Sequence, residues 1–192
     1  MAAAPDLDIV SAKNSDSGDF AAHIARHLAE SGAYGSSHFA PVSVVSRDEV
    51  AHESERRWST PLTQPGWGRV WMLTRRDRPS AWPLEAGARV TGHVELRGAL
   101  LHSGLHRADL SIGIEQGFRS AGFGIRLAHT ALSFAYETGR IEYIDLRVFS
   151  HNEPARKLYR RLGFAEVGRV DDAFRMTDGT KIDDVMMVLR LR

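Results

Sequence analysis

Between residues 107 and 139 the apolar pattern changes its period once. RADLSIGIE alternates, with Leu110, Ile112 and Ile114 at every second position. GIRLAHTALSFAYETG instead carries Ile125, Leu127, Ala128, Ala131, Leu132, Phe134 and Ala135 along one wide face. A period of two is a strand and a period of 3.6 is a helix. Gly139 follows the helix as a left-handed stop. The joint between the two patterns is RSAGFG, residues 119–124.

The flanking sequence completes the order. LDIVSA (7–12) reads as a short strand. Asp16 or Ser17 caps a helix to about Ser31, with Phe20, Ile24 and Leu28 on one face and Gly32 as its stop. Residues 32–45 are loop-like, and Ser46 to Glu49 has the S-x-x-E form of a capping box for a helix to about Trp58. GRVWMLTRRD (68–77) is a strand and RPSAWPLEAG a loop. ARVTGHVELRG (88–98) is a strand that sets Val90, Gly92, Val94 and Leu96 against Thr91, His93, Glu95 and Arg97. After the long helix come a strand (141–149) and a short helix capped by Asn152, with Pro154 in its first turn and Gly163 as its stop. Two last strands join around Asp178-Gly179, a hairpin signal. The class is α+β, or mixed α/β, with one sheet.

A chain of 192 residues fits a single domain, 1–192, with 1–6 as a loose end. The formal net charge of +1 gives no general pull toward nucleic acid or membrane. No run approaches the roughly 18 apolar residues of a membrane span. No basic leader with an apolar core opens the chain, so the cytoplasm is the expected location. There is no cysteine. Disulfides, cysteine zinc sites and cysteine-bound reaction intermediates are therefore excluded.

The joint has chemistry beyond turning the chain. A helix N-terminus offers unbonded N–H groups and a partial positive charge. Glycines at 122 and 124 let an oxygen approach that backbone, and Arg119 adds a fork of donors suited to phosphate. A dinucleotide fingerprint needs glycine at Leu127, and a P-loop needs lysine after Gly124, where Ile125 stands; both fail. Taken alone, the motif fits a diphosphate cradle and a plain tight turn equally.

About 30 residues on stands SHNEPARKLYRRLGF. Its N-x-x-A-x-x-L-Y-x-x-L-G-F pattern comprises Asn152, Ala155, Leu158, Tyr159, Leu162, Gly163 and Phe164. With LSIGI, RSAGFG and IDLRVF before it, the stretch 88–190 resembles the GNAT superfamily, the Gcn5-related N-acetyltransferases. Two departures stand out: the small pair Ser120-Ala121, and the connector at 59–67.

The resemblance implies a GNAT fold, a twisted, mostly antiparallel sheet with about four helices. It implies acetyl-CoA as co-substrate and an amine as acceptor, with no metal. The implied cofactor set is Ile112, Gly113 and Ile114 along the pantetheine arm, then Arg119, Ser120, Ala121, Gly122, Phe123, Gly124 and Ile125 around the diphosphate, with Asn152, Ala155 and Tyr159 from the next helix. Tyr159 is the implied general acid for the leaving thiolate. Its bland alternative is a packed core tyrosine. Arg156, Lys157, Arg160 and Arg161 are either partners of a 3′-phosphate or a solvated helix face. A non-catalytic module that binds acyl-CoA as a sensor is the competing reading. A homodimer through a sheet edge or the last strand is compatible with the pattern.

The candidate bases lie on the two strands before the joint or in their loop: Glu95, His106 and Asp109. Glu95 shares a face with His93 and Arg97, so an ion pair explains it equally. His23 and His27 have metal-pair spacing, but no third ligand is near in sequence, and a polar helix face is the simpler expectation. Trp58 and Trp67 flank the unusual connector as candidate walls of an acceptor site. Trp71 and Trp82 read as packing.

Overall fold

The computed structural model describes residues 6–30, 46–76, 88–176 and 178–192. The elements are β1 (Leu7–Ser11), α1 (Ser17–Ala29), α2 (Arg47–Ser59), β2 (Gly68–Arg75), β3 (Val90–Gly98), β4 (Arg107–Ile114), α3 (Phe123–Glu137), β5 (Tyr143–Phe149), α4 (Glu153–Arg161), β6 (Ala165–Arg175) and β7 (Lys181–Arg190). This is the order the sequence implies. One sheet holds the strands as β1-β2-β3-β4-β5-β7-β6. Each neighbouring pair is antiparallel except β4 and β5. The exception has a cause: α3 connects them, and a parallel pair needs a crossover of this length.

The local signals act as expected. Ser46 Oγ accepts the N–H of Glu49 at 3.3 Å. Asn152 Oδ1 accepts the N–H of Ala155 at 3.2 Å, with a proline in the first turn of α4. Gly139 and Gly163 take positive φ of 68° and 92° just past α3 and α4. Gly179, at φ 86°, turns β6 into β7. Asp16 precedes α1, but its carboxylate accepts the N–H of Lys13 and pairs with Arg89 instead of capping the helix. The expected Gly32 stop, the loop 32–45 and Trp82 lie outside the described residues. No described helix is long and apolar enough to cross a membrane.

Helices cover both faces of the sheet. On one, Leu127, Ala131 and Ala135 of α3 pack on Trp71, Leu73, Val94, Leu96, Leu110, Ile144 and Leu146. Leu127 is wholly buried, a contribution of about 1.5–3 kcal/mol for such a side chain. On the other face, Phe20 and Ile24 of α1 and Val50 and Trp58 of α2 pack on Val70, Met72 and Val90.

The position of Val90 corrects the simple alternation of β3. Val90 pairs with Thr74 while Gly92 pairs with Leu73, so Thr91 is an extra residue in the strand. A bulge of this kind exchanges the faces on its two sides. Val90 therefore faces α1 and α2, whereas Val94 and Leu96 face α3. His93, Glu95 and Arg97 keep the face opposite Val94 and Leu96, beneath α1 and α2.

Candidate functional site

β4 and β5 are paired only from Arg107↔Tyr143 to Asp109↔Asp145. Beyond Asp109 the two strands diverge. β4 also pairs with β3, and residues of an antiparallel ladder bond to one neighbour alternately. The bond from Glu115 N–H to Thr91 C=O sets the phase. By that alternation the C=O of Leu110 and the backbone groups of Ile112 and Ile114 face the gap, the Leu110 N–H being used in the last pair with β5, while Gly113 bonds to β3. Ile114 C=O accepts Arg119 Nε at 2.7 Å. Leu110 and Ile112 thus present a strand edge to the gap, of the kind an extended ligand can join.

The joint lies at the open end of this gap. A 3-10 turn, Gln116–Phe118, separates it from β4, so the strand does not run straight into the helix. Ser120 and Gly122 have positive φ of 63° and 80°. The first bond of α3 runs from Arg126 N–H to Gly122 C=O, at 3.4 Å. The N–H groups of residues 120–125 donate to no backbone acceptor among the described residues. Consecutive unbonded N–H groups at a helix start form an anion cradle.

The two glycines differ in what they do. A Cβ on Gly122 would meet nothing within 4 Å, so that side is open. A Cβ on Gly124 would lie 3.3 Å from Leu158 Cδ2 and 3.7 Å from Ile114 Cδ1. Gly124 therefore lets α4 pack closely and does not clear a path for an oxygen. Arg119 also departs from expectation. Its guanidinium turns back to Ile114 C=O and to Glu30, just past the end of α1, which closes the turn rather than offering a fork toward the cradle.

Tyr159 lies in the α3–α4 core and packs edge-on against Phe164, with ring centroids 5.8 Å apart. Burial pushes its phenol up to about 12, so it stays protonated and remains a donor. Asn152 caps α4, and Ala155 packs at the edge of the same core. Two of the four basic residues on this helix face are engaged within the protein. Arg156 and Arg160 both pair with Glu153 and Glu166.

Of the candidate bases, two share the face beneath α1 and α2. Glu95 lies opposite Ser111, and Arg97 opposite Asp109. Burial raises the Glu95 carboxyl against the pull of Arg97 and Arg57. Desolvation likewise raises Asp109, opposed by Arg97. The expected Glu95–Arg97 pair is a loose one, at 3.8 Å. His106 is not brought to the gap. Its C=O accepts the N–H groups of Glu142 and Tyr143 at the closed end of the strand pair, roughly 20 Å along β4 from Ile112.

Residues 47–164 match the Acetyltransferase (GNAT) family. The chain belongs to that family. A curated relative, the L-amino acid N-acetyltransferase AaaT of Escherichia coli (strain K12), is 24% identical over 152 residues, covering 78% of this chain and 85% of the relative. Among solved structures, a GNAT acetyltransferase from Streptococcus pneumoniae superposes with a TM-score of 0.78 at 18% identity, covering 96% of this chain and 99% of that one. The yncA protein of Salmonella typhimurium, solved with its cofactor acetyl-CoA, gives 0.76 at 15% identity, covering 97% and 95%.

One feature of this GNAT chain escapes sequence reading. His23 and His27 are not on a polar helix face; they are buried against β3 and β4. His23 Nδ1 lies 2.7 Å from Glu115 Oε1, and His23 Nε2 lies 2.9 Å from His93 Nδ1. Arg26 Nε donates to the same Glu115 oxygen at 3.1 Å. Burial raises the Glu115 carboxyl, but the bonds from His23 and Arg26 outweigh it and hold the group below the usual glutamate range. Since Glu115 is ionised, the proton on His23 sits on Nδ1. Burial, then the neighbouring His23 and His27, pushes His93 well down. No group of three or more potential ligands among the described residues is arranged to hold a metal. The i,i+4 spacing of His23 and His27 hinted at a shared face. Nothing in the linear sequence joins them to His93 or Glu115.

Proposed function

We propose that this protein is an N-acetyltransferase that moves an acetyl group from acetyl-CoA to a primary amine by direct attack in a ternary complex. The observation that carries the reading is the run of unbonded N–H groups at 120–125, at the open end of the β4–β5 gap. That cradle fits a diphosphate, and the backbone edge at Leu110 and Ile112 fits the amide-bearing pantetheine arm. Asn152, with its carbonyl engaged in capping, has its amide N–H₂ available to the same arm.

The residues divide the chemistry as follows. The N–H of Ile112 polarises the thioester carbonyl. The amine nitrogen bonds to the carbonyl carbon as the carbon–sulfur bond breaks. Glu95 or Asp109, both raised carboxyls on the acceptor side of the sheet, takes the amine proton. Tyr159 gives a proton to the departing sulfur. The absence of cysteine removes any route through an acetyl-cysteine. The Escherichia coli relative is an L-amino acid N-acetyltransferase, which at 24% identity supports an amine acceptor in general.

The test is thermal. Acetyl-CoA at about 100 times its dissociation constant stabilises the folded state by about 2.7 kcal/mol, a melting shift of roughly 5–10 °C for a chain of this size. The Gly122→Asp variant places a carboxylate at the open side of the cradle and should lose that shift. No shift in the parent protein would remove the basis of the reading. A shift without release of free CoA from acetyl-CoA in the presence of any amine would leave the sensor reading instead.

A further inference from the structure

We infer that the acceptor is a free α-amino acid with an apolar side chain, held in the cavity between α1, α2 and β3. This rests on the acetyltransferase reading above and names its second substrate. The cavity measures about 220 Å³. That is below the roughly 300 Å³ at which pockets for larger organic ligands begin, so an antibiotic or a protein segment is too large to enter whole. Phe20, Ile24 and Val50 form one wall. Glu95 and Arg97 form the edge nearest β4, one strand from the β4–β5 gap.

The charges in this lining balance: Glu53 and Glu95 face Arg57 and Arg97. A polyamine would meet no excess of carboxylates there, whereas a zwitterion matches. Two groups at the edge are also uncommitted. Arg97 Nε is buried and has no hydrogen-bond partner among the described residues. Glu95 lies 3.8 Å from both Arg57 and Arg97, too far for a hydrogen bond. One donor and one acceptor therefore stand side by side at the mouth of an apolar pocket. A substrate carboxylate satisfies Arg97, its ammonium meets Glu95, and its side chain lies against Phe20, Ile24 and Val50. Trp58, edge-on to Phe20 with centroids 5.5 Å apart, backs this wall, and its own buried Nε1 has no partner among the described residues.

The experiment measures CoA thiol release from acetyl-CoA with L-leucine, L-methionine, leucinamide, isopentylamine and putrescine. The expected result is a kcat/KM for L-leucine about a hundredfold or more above that of leucinamide, because a site built around a polar group rejects the analogue lacking it. Arg97→Gln should raise the KM for L-leucine at least about tenfold while leaving that for leucinamide unchanged. Calorimetric binding of L-leucine to the CoA-loaded protein gives a readout independent of turnover, and should weaken in the same variant. Leucinamide, isopentylamine or putrescine used as well as L-leucine would overturn the inference and leave the acetyltransferase reading intact. An Arg97→Gln effect equal on both leucine compounds would also overturn it. Acetyl-CoA binding without turnover of any amine overturns it too, and no acetyl-CoA binding at all overturns both readings.

Discussion

His93 Cε1 lies 2.5 Å from the point that a Cβ on Gly113 would occupy, and His27 Nε2 lies 2.7 Å from it. Two rings from β3 and α1 therefore rest directly on the strand that borders the gap. Gly113→Ala forces a collision that flexible side-chain ends cannot relieve, since both rings are buried. The expected cost is about 1–3 kcal/mol, or roughly 2–12 °C in melting temperature. Adding His93→Ala should recover part of the loss, giving a double-mutant coupling of the opposite sign. A Gly113→Ala protein that melts with the parent would show that the rings do not crowd the strand.

The buried histidines make stability depend on pH. Burial first, then the nearby His23 and Arg119, lowers His27 to about 3, with Glu115 pulling the other way. Glu30 also faces it, at 3.8 Å. His93, facing His23, His27 and Arg97, is lowered as well. Between about 3 and about 6.5 the unfolded chain binds protons that folded His27 refuses, so stability rises with pH across that window. Each such histidine contributes a slope of about 1.4 kcal/mol per pH unit. Glu115, lowered when folded, adds a loss of the same sign near and below its unfolded value. Melting temperature should thus fall steadily from pH 7 to pH 5, and His27→Gln should flatten the curve. An unchanged slope in that variant would count against this assignment.

Tyr159→Phe removes a hydroxyl and keeps the ring packed on Phe164. If Tyr159 protonates the thiolate, kcat falls by about a hundredfold or more, with acetyl-CoA affinity and melting temperature held within error. Because the phenol is pushed up to about 12, its ionisation should leave no alkaline limb in the pH–rate profile below about pH 11. A variant with near-parental kcat would reduce Tyr159 to a core tyrosine.

The joint glycines should respond differently. Gly124→Val meets Leu158, so it should lower melting temperature with or without acetyl-CoA. Gly122→Asp opens into solvent and tolerates left-handed backbone, so the apo protein should melt within a few degrees of the parent. Its loss should appear only in the acetyl-CoA shift. Equal behaviour of the two variants would mean that Gly122 serves the turn alone.

The sequence made the element order legible, together with the caps at Ser46 and Asn152, the stops at Gly139 and Gly163, and the place of the joint at 119–124. Glu95 and Asp109 were legible as candidates because they lie on the two strands before the joint; that they share a face follows only from the register of β3 on β4. Three particulars were not. Thr91 shifts β3 by one residue, and a bulge is defined only against a partner strand. Arg119 read as a free fork because Glu30, 89 residues away, is invisible from its neighbourhood. His23 and His27 read as a polar surface because the partners of His23, Glu115 and His93, lie 92 and 70 residues distant.

By itself the chain determined what consecutive residues control. Period, capping hydrogen bonds and the φ that glycine permits act within one or two turns of backbone, so the strand–cradle–helix unit and the α4 signature are written locally. Only the tertiary structure decided how far β4 and β5 stay paired before they part, which residues press on Gly113, and which charges meet at the cavity edge. Those depend on register and on contacts through space. A hydrogen bond between His23 and His93 requires the sheet and α1 to be in place first, and no stretch of sequence encodes that meeting.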